Sequence, residues 1–278
     1  MECTILKPTA DTPMTAESVS QYLDILQVPK RTPSHTALEE LVAAHLTRVP
    51  FENISMLHRF KRLGLKGIPP LDLFLDGIVR ENFGGMCFSS NIHFSHLLGS
   101  LGYDARLCGA DMHVPNSHMA TIVTIEGREY LVDVGYGAPF SMPMPLDRAT
   151  DFRIELDHAF YRLLPRDARG QSRMEFIQNG VLRSSYVVKP QAMKADDFSS
   201  VIEAMFAPRA VFRNLLLLTR FWASGRYRII HNLTVFESDG AFRAFPLANR
   251  NELLECIEES FGISPGIAAE LVDDVGIG

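Results

Sequence analysis

What this chain lacks narrows its identity before anything it contains. No apolar run approaches the roughly 18 residues of a membrane-spanning helix. The four cysteines, Cys3, Cys87, Cys108 and Cys256, lie far apart, and no Cys-x-x-Cys pair occurs. That spacing excludes a zinc ribbon and a thioredoxin-like redox motif, and it gives a disulfide scaffold no support. No phosphate loop or dinucleotide fingerprint is written in the sequence, and it has no internal repeat or low-complexity tract. Residues 1–15 carry Glu2, Asp11 and two prolines, without the basic-then-apolar order of a signal peptide. The expected setting is therefore the cytoplasm, with reduced thiols. A net charge of −6 and a pI near 5.9 argue against nucleic acid or an anionic membrane as partner. Asp111, His113 and His118 cluster, and His93 and His96 are three apart, but no third ligand set joins either group, so no metal is expected.

What is present is an ordinary globular composition, 46% apolar and 22% charged over 278 residues. That length suits two or three subdomains. Val19, Tyr22, Leu23 and Leu26 recur at helical spacing within 16–27. Thr36 to Glu39 reads as a capping box for a helix burying Leu38, Leu41 and Val42. Arg48 to Ile54 reads as a polar-aromatic loop. Leu71 to Val79 gives a third helix, and a fourth begins at Cys87 and stops at Gly102.

After Gly102 the period changes. Thr121–Ile125 and Tyr130–Val134 predict a hairpin over Glu126-Gly127, and Met174–Gln178 with Val181–Val188 predict another over Asn179-Gly180. Phe152–Leu156 and Phe160–Leu164 predict strands between them, and Pro190 closes the section. The remainder mixes buried or helical segments at 201–218, a hairpin of Arg226–Phe236 with Ala241–Pro246, and a last helix ending at Gly262. The order gives an α+β fold in three units: 1–102 helical, 103–200 an antiparallel β-barrel, 201–278 an α/β lid.

Phe83-Gly84-Gly85-Met86-Cys87 carries the chemistry. A free thiol has a pKa near 8.5 and is mostly protonated at neutral pH. A helix N-terminus and a neighbouring histidine both favour the thiolate, and the first is present in the local sequence. The two glycines leave room where a carbonyl could approach, and N–H groups at this turn could form an oxyanion site. A two-residue turn at Glu126-Gly127 places His118 opposite Gly135, on the same sheet face as Asp133. A carboxylate there can orient the imidazole while its other nitrogen faces a thiol. Asp133 lies between Val132 and Val134 in an apolar strand and needs a partner if buried.

These residues resemble the arylamine N-acetyltransferases. The resemblance rests on Gly84-Gly85-Met86-Cys87, on His118, on Val132-Asp133-Val134-Gly135-Tyr136-Gly137, on Val49-Pro50-Phe51-Glu52-Asn53, and on the Glu258 to Ile263 end. It implies a ping-pong acyltransferase with a helical bundle, a β-barrel and an α/β lid. Cys87 would be the nucleophile, His118 the base and Asp133 its orienter. It further implies that Phe51 and Tyr136 line the acceptor pocket and that Gly135 and Gly137 give coenzyme room. Acetyl-CoA would be the donor and an arylamine, hydrazine or similar small amine the acceptor. Two residues depart from the family pattern, Phe83 for the usual Arg and Ser89 for the usual Glu. The Arg ordinarily pairs with the glutamate that is Glu52 here, so Glu52 needs Arg48, Arg80 or solvent instead. The departures leave open a donor thioester on a carrier protein. Shared triad logic leaves open a thiol hydrolase, and a silent binding module is a further alternative. Arg226-Tyr227-Arg228 reads as a strand face, or at most a contact for coenzyme phosphates.

Overall fold

A computed structural model describes residues 14–277, so Cys3 and most of the N-terminal stretch read above lie outside the described residues. Helix α1 (Ala16–Leu26) buries the four predicted residues Val19, Tyr22, Leu23 and Leu26. Helix α2 (His35–Arg48) starts two residues before the expected box: its cap is Ser34, whose Oγ accepts from Ala37 N at 3.2 Å. The presumed loop at Arg48 to Ile54 instead contains strand β1 (Phe51–Glu52) and leads into helix α3 (Ile54–Leu63). The apolar stripe of α3 is short because Ser55 and Arg59 share its buried face with Ile54 and Leu57. That polar content hid the helix from periodicity. Helices α4 (Leu71–Glu81) and α5 (Cys87–Ser100) follow as expected. Nearly every residue of α5 from Cys87 to Leu98 is buried, which makes it the central helix of the molecule.

Eight strands follow: β2 (Asp104–Asp111), β3 (His118–Ile125), β4 (Arg128–Val132), β5 (Met144–Pro145), β6 (Phe152–Glu155), β7 (Ala159–Leu163), β8 (Ser172–Gln178) and β9 (Val181–Met193). They form one antiparallel, barrel-like sheet in the order β5-β4-β3-β2-β9-β8-β7-β6. Strand β2 escaped sequence reading because Arg106 and Gly109 interrupt its apolar content; its position between β3 and β9 makes it a strand. The β3–β4 turn has the expected two residues, with Ile125 opposite Arg128 and positive φ at both Glu126 (51°) and Gly127 (77°). Pro190 does not end its strand. Pairing to β2 jumps from Ala110↔Val188 to Cys108↔Ala192, and the proline sits in that irregularity, where a missing N–H costs no ladder bond.

Beyond helix α6 (Ser199–Ala204), strands β10 (Leu217–Phe221), β11 (Tyr227–His231), β12 (Thr234–Ser238) and β13 (Phe242–Pro246) form a second antiparallel sheet. The predicted Arg226–Phe236 strand is thus two strands, folded back at Asn232, a non-glycine residue at φ 51°. Strand β1 joins this sheet beside β10, with Phe51 opposite Thr219, so a segment of the helical region is built into the lid sheet. Helices α7 (Arg250–Phe261) and α8 (Pro265–Val275) pack with α3 on one apolar cluster that also holds Phe83. Among the described residues no helix is long and apolar enough to cross a membrane.

Candidate active site

Helix α5 begins at Cys87, capped by Met86 in extended conformation. Its first hydrogen bond into the helix is from Ser90 N to Met86 O (3.0 Å), so the earlier N–H groups point their partial positive charge at the cysteine end. The Cys87 residue is buried, 8% exposed.

Two segments of the barrel close on it. His118, the first residue of β3, and Asp133, one residue past β4, are both buried, and Nε2 of the imidazole donates to Asp133 Oδ2 at 2.8 Å. That bond fixes the tautomer and leaves Nδ1 as the ring nitrogen open to Cys87, whose interaction with the imidazole helps raise the His118 pKa. Burial alone would lower the His118 pKa. The Asp133 charge and hydrogen bond, together with Cys87, outweigh it and raise the value to about 10. For Asp133 burial pushes upward, but His118, Asn91 and Tyr186 together hold the carboxyl below the usual carboxylate range. The imidazole at this site is therefore a strong proton holder.

Asp133 is saturated with donors. Oδ2 also accepts from Tyr186 Oη (2.8 Å), and Oδ1 accepts from Asn91 Nδ2 and Gly135 N, each at 3.1 Å. Asn91 and Tyr186 were not singled out by sequence reading. Asn91 had a legible signal, since it stands four residues after Cys87 on the same helix face. Its other amide hydrogen goes to Met119 O (2.8 Å) and its Oδ1 receives Val134 N (3.1 Å). One side chain thus ties the cysteine helix to the residues following His118 and Asp133. Tyr186 had no such signal, because only the sheet brings β9 to this place.

The glycines before Cys87 serve the protein and not a substrate, which corrects the sequence expectation. A Cβ on Gly84 would collide with the Pro50 carbonyl, and one on Gly85 with Ser89 Oγ. Their N–H groups are not free for an oxyanion: Gly84 N donates to Glu52 Oε1 (2.9 Å) and Gly85 N to Pro50 O (3.2 Å). Glu52, 0% exposed, also accepts from Ser55 N at 2.8 Å. The expected partners of Glu52 are elsewhere: Arg48 is exposed at the end of α2, and Arg80 faces Asp76 at 3.5 Å. The cation whose charge acts on it is Arg59, from the helix that sequence reading missed. Arg59 is 4% exposed, its Nη2 donates to Leu73 O (3.1 Å), and its guanidinium lies 5.6 Å from the Phe83 ring centre. A Cβ on Gly77 would strike that guanidinium, so glycine there leaves it room. Phe83 fills apolar space and Ser89 bonds Met86 O at 3.1 Å, so packing absorbs both departures.

The remaining expected residues lie near the His118–Asp133 pair and Cys87. Tyr136 packs edge-on to His118, ring centres 5.5 Å apart, and its hydroxyl meets Ser184 Oγ at 2.9 Å. Gly135 is pressed against Cys87: a Cβ there would lie 2.7 Å from the cysteine Cα. Gly137, at φ 75°, faces Phe51 with a little more room, 3.2 Å from an added Cβ to the ring. Gly137 also lines an aromatic cavity of about 600 Å³ between the two sheets, with Tyr161, Phe176, Phe221 and Phe242. Among the described residues no group of three or more metal-ligating side chains occurs; His93 Nε2 instead meets Pro69 O at 3.0 Å.

Residues 35–269 match the family model described as N-acetyltransferase. The arylamine N-acetyltransferase pineal gland isozyme NAT-10 of Gallus gallus is 31% identical over 118 residues, 40% of this chain and 39% of that protein. The chain thus spans about two fifths of the length of the first curated relatives it matches. Arylamine N-acetyltransferase 1 of Mesocricetus auratus is 23% identical over 85% of this chain and 90% of that protein. The solved arylamine N-acetyltransferase of Mycobacterium marinum in complex with CoA superposes with a TM-score of 0.77 at 22% identity, covering 92% of this chain and 99% of that one. With the family model spanning most of its length, the chain belongs to the N-acetyltransferase family that includes the arylamine N-acetyltransferases.

Proposed function

We propose that the protein is a ping-pong acyltransferase that moves acetyl from acetyl-CoA through a Cys87 thioester to the nitrogen of an arylamine, hydrazine or similar small amine. The carrying observation is the buried contact of Cys87, His118 and Asp133 at the start of α5, in a chain of this family. In the first half-reaction His118 takes the thiol proton, and the thiolate attacks the thioester carbonyl. The tetrahedral intermediate collapses with cleavage of the bond to the CoA sulfur, which leaves with the proton held by the imidazolium. In the second, the amine nitrogen attacks the Cys87 thioester and His118 accepts the N–H proton. The C–S bond breaks, and the amide departs as the cysteine is reprotonated. Asp133 orients the imidazole and stabilises its positive charge. Phe51 and Tyr136 form the acceptor wall, and Gly135 and Gly137 keep the approach free of side chains.

The reading assigns the helical unit 1–102 to carry Cys87, the barrel unit 103–200 to carry His118 and Asp133, and the lid unit 201–278 to close the pocket. Its partners are small molecules, with no nucleic acid. Buried free thiols at Cys87, Cys108 and Cys256 support a reducing, cytoplasmic setting. Phe83 and Ser89 are accommodated by packing behind the glycine turn, so they supply no reason to invoke a carrier-protein donor. Intact-mass spectrometry after incubation with acetyl-CoA should show one acetyl adduct on the chain, absent from Cys87→Ala. No adduct with any acyl-CoA would reject the reading.

A further inference from the structure

One buried charge beside the cysteine turn takes no part in the proton transfers. Arg59 of α3 is buried, and burial lowers its pKa more than the Glu52 charge restores it. A guanidinium kept dry against its own ionisation is stabilising something else. Its neighbours are shaped around it. An added Cβ on Gly77 would lie 2.4 Å from Arg59 Nη2 and 3.3 Å from the Phe83 ring, and the guanidinium carbon is 5.6 Å from the centre of that ring. Arg59, Gly77 and Phe83 therefore share one closed space, in which the 3.1 Å bond from Nη2 to Leu73 O fixes the cation.

Glu52 is the group that this charge reaches, and Glu52 is tied to the start of α5. Its Oε1 accepts from Gly84 N at 2.9 Å and its Oε2 from Ser55 N at 2.8 Å. Its own backbone N–H donates to Gly85 O, and Gly85 N donates to Pro50 O, both at 3.2 Å. An added Cβ on Gly84 would lie 1.8 Å from Pro50 O, so the two segments meet without slack. Cys87 stands two residues past Gly85, as the first residue of the helix. Phe51, between Pro50 and Glu52, meets Gly137 from the other side. Without the cation, Glu52 would be a buried charge held by neutral donors alone, and admitting water to relieve it would open the turn.

We propose that Arg59 is a positioning residue for Cys87: its charge keeps the Glu52 carboxylate seated on Gly84 N, which holds the Gly84-Gly85 turn and sets the thiol in register with His118. The proposal rests on the acyltransferase reading above for the reaction it serves. Arg59 touches neither substrate nor reacting atom. Its effect is on the rate of the thiol step, because a shift of about 1 Å at a reacting atom can slow a reaction about a hundredfold.

Variants compared at a temperature where each is folded, with rates counted per reactive Cys87, test this. Arg59→Met should slow single-turnover acetylation at saturating acetyl-CoA about thirtyfold and leave KM for acetyl-CoA within about twofold. Position 83 adjoins Gly84 and shares the space of Arg59, so R59M/F83R supplies the guanidinium from the other residue. That double variant should recover the rate to within about threefold of native. An arginine that served stability alone would move the melting temperature and leave the rate per folded site unchanged. A rate in Arg59→Met within about twofold of native would overturn the proposal. So would a folded R59M/F83R as slow as Arg59→Met or, should Arg59→Met not fold, one more than about tenfold below native. Alkylation of Cys87 by iodoacetamide, which needs no acyl donor, separates the two readings. If the native protein takes no acetyl from any acyl-CoA, the acyltransferase reading falls. Alkylation slowed in Arg59→Met and recovered in R59M/F83R would still establish the positioning role, and equal alkylation in all three proteins would remove it.

Discussion

Two buried carboxylates flank Cys87, and they are satisfied in opposite ways. Asp133 meets an imidazole, a tyrosine hydroxyl, an amide and a backbone N–H, so half of its partners are side chains whose hydrogens could be lost or repositioned by chemistry. Glu52 receives two backbone N–H groups, from Gly84 and Ser55, and feels the charge of Arg59. The first arrangement suits a carboxylate that must respond when a neighbour gains a proton. The second suits one that fixes a turn. The contrast teaches that burial of an acid does not by itself mark a catalytic group; the mobility of its partners' protons does.

Breaking the first carboxylate should have the largest effect. Asp133→Asn keeps the shape but can hold the imidazole in the wrong tautomer, and acetyl transfer should fall by about three to four orders of magnitude while the fold survives. Single-turnover acetylation of Cys87 measures it, and a loss under tenfold would remove Asp133 from the mechanism. The same variant tests the electrostatics. The raised His118 pKa contributes stability that is whole below the unfolded value of 6.5 and is lost as pH rises through about 10. The lowered Asp133 pKa contributes stability present above 3.8 and lost as pH falls through its depressed folded value. Melting temperature in the native protein should therefore be highest between those limits and decline on both sides, and Asp133→Asn should flatten the two slopes.

Breaking the second should register in stability before rate. Glu52→Gln sets an amide NH2 donor against the backbone N–H donor of Gly84 or Ser55, at a cost of about 3 kcal/mol, and should lower the melting temperature by several degrees. Thermal unfolding checks this, and a melting temperature unchanged from native would contradict the assigned bonds.

The family-like substitution at position 83 sharpens the same point. Had Glu52 been unpaired, Phe83→Arg would stabilise the protein. With Glu52 already satisfied, Phe83 2% exposed in an apolar cluster and Arg59 beside it, the new guanidinium should cost about 2 kcal/mol. A rise in melting temperature would show that Arg59 does not meet the need of Glu52. The smallest expected change is Tyr186→Phe, which removes one of the Asp133 donors. It should cost about 1 kcal/mol of stability, with acetylation slowed severalfold, as urea denaturation and the same single-turnover assay would show.

The local signals in the sequence were reliable where the cause is local. Helix α5 starts at Cys87 because a glycine turn ends there and an apolar run begins, and the β3–β4 register follows from a two-residue turn that Glu126-Gly127 can form. That register is what placed His118 and Asp133 on one face, and the structure joins them by a 2.8 Å bond. Where the cause is distant, sequence reading failed. Strand β2 is a strand because β3 and β9 take both its edges, and α3 is a helix whose buried face carries a serine and an arginine.

By itself, then, the sequence determined the α+β order, the position of Cys87 at a helix start, and the pairing of His118 with Asp133, since each depends on residues within one element or one turn. Only the tertiary structure decided that Asn91 and Tyr186 complete the shell of Asp133, that Arg59 and not Arg48 or Arg80 is the cation whose charge acts on Glu52, and that residues of both sheets wall the cavity at Gly137. Those contacts join residues 42 to 53 positions apart around Asp133, and parts of different sheets around Gly137. No periodicity carries such information. It exists only after the barrel and the second sheet have closed around α5.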